Sequence, residues 1–266
     1  MRFGIMLFRA NFLYKEECGG VGYSIHRTRC SMARSAQDFA ASYPGATVRE
    51  LGEGLAVITF TDENMARLAG LAVEYVAENK HLLTYDREVR TPGGKAGKRH
   101  RGEGFFFSKN ADVRKYKFGG TAVEGTLMYD AMENLLEAVN KMVPGEEFTA
   151  AFMVHYRDTN DELGFHADRD VNADTLVGVV AISVGQSRIF KVQPSKGSTI
   201  APVSIDTKHG ETLVMYGKGF QEKAIHAVKK AVVGPKNPKH VEGIQGRYSI
   251  TFRRHMDKVA GKRKHA

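Results

Sequence analysis

Between Phe148 and His255 the chain breaks into short segments that favour one conformation. FTAAFMVHYRD, LVGVVAISVG, SRIFKVQ, GETLVMYG, AIHAVKKAVV and RYSITFRRH are rich in β-branched or aromatic residues, and Gly, Pro, Asn or Asp bounds them. Runs of this length and composition form strands separated by turns. The second half of the chain is therefore expected to be an antiparallel β domain. Ahead of it, GLAVITF (Gly54 to Phe60) reads as a strand, and two stretches have helical spacing. In TDENMARLAGLAVEYVAEN, Met65, Leu68, Ala69, Ala72 and Val76 share a face, with Thr61 or Asp62 as the cap. In TLMYDAMENLLEAVNKM the corresponding face is Met128, Ala131, Leu135, Ala138 and Met142, and VPGEE ends the helix. The fold class is α+β, with N-terminal helices supporting a β domain. Residues 1–56 have weak periodicity and form an extension without an assigned role, residues 57–256 form the main domain, and residues 257–266 are a basic tail expected to be disordered.

Several function classes drop out on composition. No run of 18 apolar residues occurs, and the apolar start MRFGIMLFRANF is broken by Arg9, so the expectation is a cytoplasmic protein with no membrane partner. Cys18 and Cys30 have no second pair, which argues against a disulfide framework or a cysteine zinc site. The Gly-rich basic stretch TPGGKAGKRHRGEGFFFSKN lacks the spacing of a P-loop, which excludes that mode of triphosphate binding. A formal net charge of +9 points toward polyanionic partners. It is concentrated from Lys95 to Lys117, where Lys95, Lys98, Arg99, Arg101, Lys109, Arg114, Lys115 and Lys117 face only Glu103 and Asp112.

The chemistry sits in GFHADRD. His166 and Asp168 are two residues apart, so on an extended strand both side chains emerge from the same face. Alone the pair reads as an ordinary polar turn, since both residue types are abundant on surfaces. His226, on a later segment, supplies a third candidate ligand, although by itself it reads as a core histidine. Two histidines and a carboxylate on one side of a metal leave positions open, the arrangement of non-haem Fe(II) oxygenases. In RYSITFRRH, alternation puts Arg247, Ser249, Thr251 and Arg253 on one face and Tyr248, Ile250 and Phe252 on the other. Such a polar face ordinarily meets solvent. If it lines a pocket, its arginines require an anion, and a small dicarboxylate fits.

Taken together, VHYRDTNDELGFHADRD, VVAISVGQSRIFKV, HGETLVMYGKGFQEKAIHAV and RYSITFRRH resemble the AlkB family of Fe(II)- and 2-oxoglutarate-dependent dioxygenases over about Thr61 to His255. The resemblance implies a double-stranded β-helix, or jelly roll, with iron on His166, Asp168 and His226. It implies that Arg247 pairs with the distal carboxylate of 2-oxoglutarate, that Arg253 supports the iron-bound end or Asp168, and that Tyr156 hydrogen-bonds the cosubstrate. Where the family has N-x-Y and R-x-N, this chain has Val154-His155-Tyr156 and Arg247-Tyr248-Ser249, so the Ser249 hydroxyl replaces a longer amide at the cosubstrate. The basic stretch occupies the place of the family's substrate-recognition lid, with Lys98, Arg99, Arg101, Phe107 and Tyr116 as substrate-binding residues, although Phe105 to Phe107 also read as a buried strand. The implied function is oxidation of a nucleic-acid base in a single strand or flipped from a duplex, by demethylation of an alkylated base or hydroxylation of a 5-methylpyrimidine, as in DNA repair. A monomer is expected. The alternatives are oxygenation of a protein side chain or small molecule, and binding without catalysis.

Overall fold

The computed structural model describes residues 35–61, 65–90, 96–118, 121–143, 147–230 and 244–254. Cys18, Cys30, Lys95 and the tail 257–266 lie outside them. In chain order the elements are α1 (Ala36–Ala41), β1 (Thr47–Gly52), β2 (Leu55–Phe60), α2 (Ala66–Asn79), β3 (Arg87–Arg90), β4 (Ala96–Arg99) and β5 (Gly102–Phe107). There follow β6 (Lys115–Phe118), β7 (Thr121–Glu124), β8 (Thr126–Leu127), α3 (Asp130–Met142), β9 (Ala150–Tyr156), β10 (Leu163–His166) and β11 (Val177–Gly185). The last are β12 (Arg188–Pro194), β13 (Val203–Thr207), β14 (Thr212–Tyr216), α4 (Phe220–Lys223), β15 (Ala224–Val228) and β16 (Arg247–Arg253).

Strand alternation builds the double-stranded β-helix. The large sheet runs β1-β2-β14-β11-β16-β9-β5-β8 and the small one β10-β15-β12-β13. Side chains on the inner face of the large sheet, including Val57, Phe105, Val154 and Met215, pack against Phe190, Val192 and Val228 of the small sheet. Their alternates, including Ile58, Phe106, Ile250 and Phe252, pack on the other side with the apolar faces of α2 and α3. Each fully buried aliphatic or aromatic side chain of this kind stabilises the fold by about 1.5–3 kcal/mol relative to exposure. Both faces of the central strands are therefore committed, and the pocket must open between the two sheets.

Three expectations are corrected. Helix α2 starts at Ala66 with Met65 as N-cap and no side-chain cap bond; Thr61 contributes its carbonyl to the Met65 N–H instead, and Asp62 lies outside the described residues. Its buried face, Leu68, Ala69, Ala72 and Val76, is the expected one. Helix α3 buries Met132, Leu135, Leu136, Val139 and Met142, with Ala131 and Ala138 only half-buried at its flank. The face is rotated because Thr126–Leu127 pair with Phe106–Phe107 as a strand, so Met128 is buried from outside the helix. Residues 36–52 belong to the β-helix unit, which does not begin at 57. Strand β1 pairs with β2, and the Phe39 ring lies 6.4 Å from Phe60 and 5.8 Å from Tyr216. As an edge strand β1 buries only Leu51, which leaves little periodicity to read. The strands read at Gly54 to Phe60 and Phe105 to Phe107 are observed as β2 and β5, and with β8 they extend the large sheet. Among the described residues no helix is long and apolar enough to cross a membrane.

Candidate metal and dicarboxylate site

The antiparallel pairing of β10 with β15 sets His166 directly opposite His226, their ring centroids 4.3 Å apart. His166 is the last residue of β10, so Asp168 is not on that strand, as the i, i+2 argument assumed. It sits in the following turn, where its backbone N–H donates to Gln221 Oε1 at 2.8 Å and its carbonyl accepts from the Val171 N–H at 3.2 Å. The turn still brings the three side chains together. His166 Nε2 is 3.7 Å from Asp168 Oδ1, His226 Nε2 is 3.5 Å from Asp168 Oδ2, and one ligand atom from each residue lies within 4.8 Å of the others.

The protonation pattern suits a divalent cation. His166 Nδ1 lies 2.9 Å from the Gly164 carbonyl, which can only accept, so the proton sits on Nδ1 and the Nε2 lone pair points at the carboxylate. Burial, reinforced by neighbouring His226, lowers the His166 imidazole to about 4. Burial alone would raise the Asp168 carboxyl; Arg253 and then His226 overcome it and hold it well below the usual carboxylate range. An ionised carboxylate flanked by imidazole nitrogens is the donor set that Fe(II) prefers. Arg253 Nη1 lies 2.5 Å from Asp168 Oδ1 and 3.6 Å from Asp170 Oδ1, and its guanidinium covers the Tyr116 ring at 5.4 Å. Burial disfavours its charge, but the two carboxylates more than compensate and raise its pKa.

The same pocket runs from this triad to Arg247 and is also lined by Tyr156, Ser249, Thr251 and Arg253, with apolar walls that include Leu213, Met215 and Phe190. The alternation read in RYSITFRRH is thus the observed one. Arg247 is 2% exposed and donates to Thr207 O (3.0 Å), Gln186 O (3.4 Å) and Ser183 Oγ (2.8 Å). None of these acceptors is charged, and among the described residues no carboxylate pairs with it. Burial lowers its pKa to about 10, which leaves it cationic at neutral pH. Gly246 places this arginine: at φ 72 its chain turns so tightly that a Cβ would collide with the Tyr156 carbonyl. Tyr156 is pushed up to about 12 by burial, so its phenol keeps its proton.

The expected substrate residues separate. Lys98 is exposed on β4, in the hairpin it forms with β3. Arg99 lies 3.1 Å and Arg101 2.6 Å from the buried carboxylate of Glu103, and Arg101 also donates to Glu162 O at 2.8 Å. Phe107 is buried in the core between the sheets, and Tyr116 is buried too, stacked on Phe105 at 5.4 Å. The described residues 96–117 therefore do not form one lid: β5 crosses the large sheet between β9 and β8, with the β3–β4 pair on one side and the β6–β7 pair on the other. The apolar run Phe105 to Phe107 takes it there because both faces of that sheet are covered. Arg87 is a third guanidinium near Glu103, at 3.9 Å, so Glu103→Ala strands buried positive charge. A loss of about 3–5 kcal/mol in chemical denaturation is expected, and a change below about 1 kcal/mol would show the cluster to be solvated.

Four residues escape a sequence reading. Ser183 pairs in register with Ser249 across β11 and β16, and the alternation in VVAISVG was the available signal. Thr207, Arg188 and Gln221 carried none. Arg188, 1% exposed, donates to the carbonyls of Asp158 and Asp161 and lies 5.3 Å from the Tyr156 ring centroid, pinning the loop that leads into β10.

Over 146 residues the chain is 25% identical to the DNA oxidative demethylase ALKBH2 of Arabidopsis thaliana, an alignment that covers 47% of this chain and 43% of that protein. The chain thus matches less than half the length of this curated relative. Among solved structures, that of OsALKBH1 is similar with a TM-score of 0.47 and 13% identity, covering 74% of this chain and 97% of the other. The profile of the 2OG-Fe(II) oxygenase superfamily matches residues 71–253, most of the chain and the whole of the pocket. With a His-Asp-His cluster that fits Fe(II) and, in the same cavity, a buried arginine that no carboxylate pairs with among the described residues, the chain belongs to the 2OG-Fe(II) oxygenase superfamily, whose cofactors are Fe(II) and 2-oxoglutarate.

Proposed function

We propose that this dioxygenase oxidises a base of a nucleic acid, with residues 36–254 as the catalytic unit and demethylation of an alkylated base as its reaction. The observation that carries the chemistry is the single pocket joining His166, Asp168 and His226 to Arg247. When bound there, Fe(II) with 2-oxoglutarate and O2 supplies oxidation of a substrate C–H bond, the cosubstrate leaving as succinate and CO2. The chain's own residues do the rest. His166, Asp168 and His226 hold the metal, and Arg253 keeps Asp168 ionised and in place. Arg247 holds the distal carboxylate, with the Tyr156 and Ser249 hydroxyls as further donors. Leu213, Met215 and Phe190 give the pocket apolar walls, Phe190 lying 5.6 Å from the His226 ring.

Support for the nucleic-acid substrate comes from the similarity to a protein named as a DNA oxidative demethylase and from the charge of +9. Among the described residues of the basic stretch Lys98 is exposed to a phosphate, whereas Arg99 and Arg101 turn toward Glu103. Binding of a single-stranded oligonucleotide across a salt series tests this. Lys98→Ala should lower the slope of log affinity against log salt by about 0.7 for any sequence. Its oxidation of 2-oxoglutarate without oligonucleotide should match wild type. If no methylated oligonucleotide stimulates succinate production by the wild-type protein even at low salt, the substrate is instead a protein side chain or a small molecule.

A further inference from the structure

Asp168 has a weakness that the two histidines do not share. His166 and His226 belong to paired strands, and their backbones are set by the sheet ladder. Asp168 lies beyond the end of β10, so no strand ladder fixes its backbone, although Arg253 of β16 holds its carboxylate at 2.5 Å. Its buried backbone N–H is taken by Gln221 Oε1 at 2.8 Å, across 53 residues of sequence. Gln221 is itself buried, on the short helix α4 that leads directly into the strand carrying His226. The other end of its amide donates to Met215 Sδ at 3.2 Å. Flipping that amide would set two donors against each other at Asp168, so its orientation is determined. The same two segments are also tied by Gly219 N–H to Ala173 O at 2.8 Å and Gly217 N–H to Leu176 O at 2.7 Å.

We propose that Gln221 is a positioning residue: its side-chain carbonyl holds the Asp168 turn against the start of β15, so that the carboxylate meets His166 and His226 in metal-binding register. This rests on the assignment of those three residues as iron ligands. Without the acceptor, the Asp168 N–H is buried unsatisfied, and the turn must shift to find another partner or water. Residues that orient metal ligands typically change metal affinity about 10–100-fold when replaced.

The test compares Gln221→Met, which keeps length and apolar contact but removes the acceptor, with Gln221→Glu, which restores an acceptor. Co(II) binding to metal-free protein is measured by calorimetry, and its effect on melting temperature is read against each variant's own metal-free state. Gln221→Met should bind Co(II) about 10–100-fold more weakly, with a correspondingly smaller thermal shift, while Gln221→Glu stays within about threefold of wild type. Wild-type affinity in Gln221→Met, or an equal loss in both variants, overturns the positioning role. His226→Ala is the companion. If it too binds Co(II) like wild type, the ligand assignment fails and the proposal falls with it; if it alone loses binding, only the role of Gln221 is refuted.

Discussion

His166→Ala and His226→Ala are each expected to abolish substrate oxidation while leaving a folded protein, and Asp168→Ala is expected to abolish it and destabilise the fold as well. Each change removes one of three donor atoms that lie within 4.8 Å of one another, and two protein ligands do not hold Fe(II) against water. The histidines stand on strands whose ladders do not depend on their rings. Asp168 differs because Arg253, 2% exposed, relies on it at 2.5 Å. Removing the carboxylate leaves a buried guanidinium with Asp170 alone at 3.6 Å, and breaking such a pair costs about 3–5 kcal/mol. Circular dichroism, thermal unfolding and succinate release, measured on iron-loaded samples, separate the two effects. Near-wild-type turnover by His226→Ala would require a different third ligand. His209 is a poor substitute, because its Nδ1 already accepts from the Gly185 N–H at 3.0 Å.

Arg247→Ala should weaken 2-oxoglutarate binding by about 2–5 kcal/mol, the usual cost of removing one partner of a buried, hydrogen-bonded charge pair. The arginine is buried, cationic and without a carboxylate among the described residues, so the free protein holds a charge that a ligand dianion would satisfy. Arg247→Lys should also bind poorly. A lysine ammonium cannot hold Ser183 Oγ and Thr207 O while presenting a planar pair of donors to a carboxylate. Titration of 2-oxoglutarate against metal-loaded protein measures the effect, with melting temperature as the control for packing. An unchanged dissociation constant in Arg247→Ala would place the distal carboxylate elsewhere. Arg254 is the nearest alternative in sequence, and it is half-exposed and 3.6 Å from Asp112.

Properties that depend on a strand's own alternation were legible in the sequence. The two faces of RYSITFRRH and the strands from Phe148 onward follow from residue type at a period of two, while the grouping of His166, Asp168 and His226 and the role of Tyr156 came with the family resemblance, Asp168 lying beyond the strand that the period assumed. Local patterns carry this information because a strand's geometry does not depend on its neighbours. What the sequence left open was where each charge finds its partner. Arg101 and Tyr116 look like surface residues in a basic stretch, yet Glu103 draws one inward and Phe105 stacks on the other. Residues 36–52 show no period because an edge strand buries only one side chain, yet β2 takes them into the sheet. Asp168 leaves its strand, and a glutamine 53 residues away determines where its backbone sits. The sequence by itself determined which side chains face the pocket; only the tertiary structure decided which of them are paired, because pairing is set by contacts between segments that no local period connects.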